Sequence, residues 1–128
     1  MEIAFFVGRC ILGIFFLNNA RHHFFQVDAI SGYAQSKRVP SPKFATLGSG
    51  ALLFIAGLSI LTGIAPTIGI VAAVLFLLPV TFMIHAFWKI EDPMARMGER
   101  VQFSKNLALL GSSLMFLAIP LPWPWGLG

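Results

Sequence analysis

Four apolar stretches alternate with polar loops along the chain, at about residues 3–20, 44–64, 67–88 and 106–121. At 1.5 Å per residue they extend over roughly 24–33 Å, close to the ~30 Å hydrocarbon core of a bilayer. Backbone placed in hydrocarbon has to satisfy its own polar groups, so each stretch is expected to be a helix. Gly63-Ile64-Ala65-Pro66 is a tight turn that sets the second and third stretches antiparallel. The fourth is the shortest, and Pro120, Pro122 and Pro124 end it by removing backbone donors.

The two long loops carry patterns of their own. Residues 24–38 place Phe24, Val27, Ile30, Tyr33 and Ala34 at helical spacing, with Asp28, Gln35 and Lys37 off that face. Val39-Pro40-Ser41-Pro42 then stops the helix. In the second loop Asp92 fits an N-cap, Pro93 fits the first helical position, and Met94, Met97 and Val101 recur at i, i+3 and i+7. The fold expected is all-α: a four-helix transmembrane bundle with two short amphipathic helices lying at the membrane surface. One domain covers residues 1–128. Small residues mark helix contacts, with Ala65, Gly69 and Ala73 in one stripe and Ser59 with Gly63 in another.

Charge adds an orientation. Of nine Lys and Arg residues, Arg21, Lys37, Arg38 and Lys43 fall in the first loop, and Lys89, Arg96, Arg100 and Lys105 in the second. Two loops separated by two spans lie on one side of a membrane. The positive-inside rule assigns loops 21–43 and 89–105 to the cytoplasm, with both termini opposite, and points to a prokaryotic inner membrane. Trp88 is expected at one interface, and Trp123 with Trp125 at the other. The first stretch begins at Ile3 without a basic region or an A-x-A site before a cleavage point, so it is expected to stay in the mature protein.

Composition agrees with the bilayer and excludes some chemistry. The 128 residues are 57% hydrophobic and 11% charged, with a mean hydropathy of +0.82. That is too little charge to cover a soluble surface of this size. The net charge of +4 raises nucleic acid as a partner, but the basic residues sit at the ends of apolar stretches, where lipid explains them better. Cys10 stands alone, which leaves no disulfide, Cys-based zinc site or iron–sulfur cluster within one chain.

Ionisable groups in a membrane helix are expensive and mark functional candidates. Arg9 sits about two turns into the first stretch. It either snorkels back to the headgroups beside Glu2 or is a buried cation holding a partner helix or a ligand oxygen. A second cluster gathers where the basic loops meet the helices. Asn18, Asn19, Arg21, His22 and His23 close the first stretch, and Thr81, His85 and Lys89 form an i, i+4 stripe on the third. Lys105 and Asn106 open the fourth, with Ser113 near the face of Asn106. The site predicted for a quinone or an anion is His85, Lys89, Lys105, Asn106, Asn18 and His22. Its bland alternative is that each group hydrates a helix end. Haem ligation by His85 with His22 or His23 is disfavoured, because the latter two are adjacent and no E-x-x-H spacing occurs. No metal site is expected, and Glu91, Asp92 and Glu99 are read as lying in the exposed loop.

The run Leu78-Pro79-Val80-Thr81-Phe82-Met83-Ile84-His85-Ala86-Phe87-Trp88, then Glu91-Asp92-Pro93, then Phe103 to Gly111, resembles the DoxX family of small four-helix membrane proteins. Arg9 with Gly13-Ile14-Phe15-Phe16, Val39-Pro40, and Gly57 through Gly63 are similar to it too. The pattern of that family often has a Glu early in the second helix, where this chain has Leu52, Leu53 and Phe54. The departure implies that Arg9 either snorkels or finds its partner on another subunit. The resemblance implies redox-associated membrane biology, since some relatives are membrane subunits of thiosulfate:quinone oxidoreductases. It carries no active site onto these residues.

Three functions compete. One is a small accessory subunit of a larger redox or electron-transfer complex, packed against other membrane subunits or its own copies. Another is a quinone-binding or catalytic membrane subunit of an oxidoreductase. A transporter ranks last, for want of an inverted repeat and a polar path. The lone Cys, the missing carboxylate and the lack of a cofactor motif favour the accessory role.

Overall fold

The computed structural model describes all residues 1–128 and contains five α-helices and no strand. They are α1 (Glu2–Phe25), α2 (Val27–Ser36), α3 (Pro42–Thr62), α4 (Pro66–Pro79) and α5 (Pro93–Met115). Three runs, Glu2–Phe25, Pro42–Thr62 and Pro66–Lys89, are long and apolar enough to cross a membrane. Their outward faces carry the apolar residues that a soluble protein would bury. On α1, for example, Ile3, Ile11 and Ile14 are 66, 67 and 59% exposed.

Helix ends follow local chemistry. Pro42 and Pro66 occupy first-turn positions, where a missing N–H costs nothing, and Gly63 ends α3 at a φ of +77°. The Asp92 side chain accepts from Ala95 N at 2.9 Å and caps α5 as its spacing predicts. The first loop does form a short helix, α2, with Ala34 buried and Val27 and Ile30 half-buried.

Three sequence expectations change. The second surface helix is not separate: residues 93–101 run on without a break into α5. The fourth span is not a helix over 106–121, because α5 ends at Met115 and only one 3-10 turn, Phe116–Ala118, follows. From Asn106 to Met115 the apolar part of α5 rises only ~15 Å. The third stretch keeps its length, Pro66–Lys89, but is regular α-helix only to Pro79. Pro79 lacks a donor, and the ladder resumes as a wide π turn, Val80–Ile84, closed by His85 N to Val80 O at 3.2 Å. His85 and Ala86 are then irregular, and a 3-10 turn spans Phe87–Lys89.

The core runs between α1, α3 and α4 around Phe16, Leu53, Ala56, Ile60, Ile70 and Ala73. Small residues allow close approach there, as their spacing suggests. A Cβ on Gly69 would lie 2.5 Å from Ser59 Cβ, and α1 crosses α3 where Gly13 faces Gly57. Trp123 is not an interfacial anchor. It is 3% exposed and stands edge-on to Phe5 and Phe116, whereas Trp125 remains exposed.

Candidate functional site

Arg9 is 3% exposed, so it is a buried cation and not a snorkelling one. Its partner lies in the same chain. Nε donates to Ile60 O at 3.1 Å, Nη2 to Leu61 O at 3.2 Å and Nη1 to Pro124 O at 2.5 Å. The guanidinium also lies 5.6–5.8 Å from the rings of Phe5, Phe6 and Trp123. The physical reason is the end of α3, where the last four carbonyls lack helical donors. Gly63 N serves Ser59 O, Arg9 serves Ile60 and Leu61, and Leu127 N serves Thr62 O at 2.8 Å. Every one of the four is satisfied. A cation at a helix C-terminus also matches the partial negative charge there. The site is a structural clasp that binds the C-terminal tail to α1 and α3, with one hydrogen bond from each guanidinium nitrogen.

At the opposite, basic end the helices enclose a cavity of about 280 Å³. That is near the lower limit of ligand pockets, roughly 300–1,000 Å³. Its walls are mainly apolar, including Phe16, Leu53, Phe76, Leu77 and Leu109. Polar groups interrupt them at Asn19 and His23 of α1, Thr46 and Ser49 of α3, His85, and Gln102, Lys105 and Asn106 of α5. All five helices contribute, and Ile30, Tyr33 and Ala34 bring α2 to the wall.

Of the residues expected here, His85, Lys105 and Asn106 line the cavity and Asn18, His22 and Lys89 do not. Asn18 is exposed and accepts from Arg21 Nη2 at 3.0 Å. The residues one position on, Asn19 and His23, take the inward places. A clue was in the sequence: the small or aromatic residues Gly13, Phe16 and Ala20 form the inner stripe, and continuing it reaches 23. Lys89 is lost because the π turn shifts the phase of all that follows, so Thr81, His85 and Lys89 no longer share a face. Thr81 itself is fully buried, and Asn106 and Ser113 are buried on one stripe of α5 as their spacing predicts.

Glu99 does not lie in an exposed loop. Because α5 is continuous, its carboxylate comes within 2.7 Å of His85 Nδ1, and the other oxygen accepts from the Tyr33 hydroxyl. The His85 and Glu99 side chains are only 14 and 16% exposed. This chain of three links α2, α5 and the irregular turn after α4. Burial pushes the Glu99 carboxyl up. The Tyr33 and His85 hydrogen bonds, with the charges of His85 and Lys37, outweigh it and hold the group below the usual carboxylate range. Burial, then the Glu99 hydrogen bond and charge, push the Tyr33 hydroxyl well above the usual phenol range.

These shifts have signs that bear on stability. A depressed carboxyl contributes stability above its ordinary pKa and loses it as pH falls through the lowered value. A raised phenol contributes below its ordinary pKa and loses that as pH rises toward the raised value. Docking of α2 is therefore expected to persist across neutral pH and to loosen in acid and in strong alkali. Hydrogen exchange at the Val27–Ser36 amides checks this; protection unchanged from acid to alkali would contradict it.

No three His, Cys, Asp or Glu side chains gather in a group that could hold a metal ion. A family model described as DoxX matches residues 4–86. The chain belongs to the DoxX family. The DoxX match takes in Arg9, the Gly13–Gly57 crossing and His85, and stops before α5. The run Phe103 to Gly111, which had looked family-like, lies outside it, as does Glu99. Searches of curated proteins and of solved structures found no match.

Proposed function

We propose that this DoxX protein is the quinone-binding membrane subunit of an oxidoreductase, holding a small ring headgroup in the cavity at its basic end. The observation that carries this is the cavity itself: apolar walls sized for one ring, interrupted by His85, Asn106 and Lys105. Apolar and aromatic side chains bury the faces of a ring, while a few placed polar groups fix its orientation. Lys105 and Asn106 can donate to ring oxygens, and His85 can exchange a proton. The chain supplies no redox centre of its own in this reading, so electrons pass to or from a partner protein. In a prokaryotic inner membrane the basic end faces the cytoplasm, and the short apolar part of α5 completes a four-helix bundle with the 3-10 turn and the tail.

Titration of the detergent-purified chain with a short-chain benzoquinone tests the reading. Saturable binding is expected, weakened about tenfold or more in Asn106→Leu, the loss that follows from one or two buried hydrogen bonds. Absence of binding, or binding unchanged in Asn106→Leu, would sink it.

One observation favours the accessory role as a second reading. Met94, Met97 and Val101 are 73, 56 and 60% exposed along one face of α5. Such a stripe beside Arg96 and Arg100 suits a partner subunit. A chain that migrates alone on native gels from its own membranes would exclude that role.

A further inference from the structure

Two imidazoles border the cavity, and each already has one ring nitrogen committed. His85 Nδ1 meets Glu99 Oε2 at 2.7 Å, and His23 Nδ1 meets the Asn19 carbonyl at 2.9 Å. An ionised carboxylate and a backbone carbonyl can only accept, so both Nδ1 atoms carry the hydrogen. In a neutral imidazole the remaining nitrogen is then a lone-pair acceptor. On both rings the nitrogen left for a ligand is Nε2, and its need is for a donor. A quinone carbonyl cannot meet that need, whereas a ring hydroxyl can.

We propose that the cavity takes an aromatic ring carrying a hydroxyl, the reduced form of such a ring in preference to the oxidised one, and that His85 Nε2 accepts the hydroxyl proton. This rests on the cavity being a ring-binding site. In the step, the ligand O–H bond breaks, an Nε2–H bond forms, and the bonding pair stays on oxygen as a phenolate. No electron is transferred to the protein. Glu99 stabilises the imidazolium across Nδ1–H, and Tyr33, bound to the other carboxylate oxygen, keeps Glu99 from turning away. Lys105 on the same wall offers positive charge to the phenolate. The titratable and charged groups around His85 are thus Glu99, Tyr33 behind it, Lys105 and His23 on the wall, and Lys37 acting on Glu99. Glu99 is a positioning residue, and His85 is the group that touches the ligand.

The test compares 4-nitrophenol with its methyl ether, 4-nitroanisole, on the full chain in detergent. The phenol is expected to bind about tenfold tighter, the worth of a charge-assisted hydrogen bond. Its bound spectrum should show the phenolate at a pH where the free compound is mostly protonated. In His85→Leu both the preference and the spectral change should vanish, and in Glu99→Gln the spectral change, while the ether binds as before, which shows the pocket intact. Equal affinity for the two compounds, or a preference that survives His85→Leu, overturns the hydroxyl assignment alone. Failure of both compounds to bind overturns the ring-binding reading and this proposal with it.

Discussion

Replacing Arg9 by leucine is expected to destabilise the protein by about 3–5 kcal/mol, the cost of removing one member of a buried, hydrogen-bonded charged site. The loss has identifiable parts. Ile60 O loses a donor in a buried setting, Leu61 O and Pro124 O lose theirs in part-buried ones, and the ring contacts of Phe5, Phe6 and Trp123 with the cation go as well. Arg9→Lys is expected to rescue only part of this, because one ammonium cannot reach three carbonyls that a planar fork serves together. Unfolding in detergent would measure the stability, and hydrogen exchange at the Leu127 amide would report the tail, which bonds Thr62 O beside the clasp. An Arg9→Leu protein that melts with the wild type, its Leu127 amide still protected, would show that the clasp is dispensable.

The second large effect is expected at Gly57. A Cβ there would stand 2.8 Å from Leu17 Cγ, 2.9 Å from Gly13 O and 2.9 Å from Leu17 N. Two of these are backbone atoms of α1, which cannot move aside without moving the helix. Gly57→Leu is therefore expected to cost about 3 kcal/mol or more through overpacking, and Gly57→Ala about 1–3 kcal/mol. Gly48, on the same helix, has nothing within 4 Å of its virtual Cβ. Gly48→Ala should be neutral or gain up to about 1 kcal/mol from helix propensity alone. The pair separates packing from propensity, because both changes gain the same methyl. Similar unfolding midpoints for Gly57→Ala and Gly48→Ala would mean that α1 and α3 do not meet as closely as the structure places them.

How much of the site could be read in advance depended on what each residue's position relied upon. His85, Lys105 and Asn106 were readable because polar groups at the ends of apolar stretches gather at one level once the helices alternate in direction. Asn18 and His22 were misplaced by one residue, and one residue is 100° of helix rotation. The inner stripe of α1 was present in Gly13, Phe16 and Ala20, but choosing it needs the face that meets α3. Lys89 was misplaced for a different reason. A stripe at i, i+4 presumes an unbroken helix, and Pro79 with the π turn breaks it.

Glu99 and Arg9 are the clearest cases of contacts that no local pattern reveals. Glu99 comes to His85 only because the surface helix and the last apolar stretch are one rod, α5. Its bond to Tyr33 joins residues 66 positions apart. Arg9 lacks a carboxylate on the neighbouring helix, which points to snorkelling beside Glu2 or to a partner on another subunit. Backbone carbonyls answered instead, and these are present at every helix end without any mark in the residue letters.

The sequence by itself determined that the chain is helical and membrane-embedded, a member of its family, with its basic residues concentrated in two loops. The helical, membrane-embedded character and the charge distribution follow from composition and period, which are local and additive along the chain, and the family from its matching residues 4–86. Only the tertiary structure decided which face of each helix turned inward, where α5 began and ended, and how Arg9 and Glu99 were paired. Those outcomes depend on contacts between distant segments, where a rotation of one residue or an unbroken helix exchanges one set of partners for another.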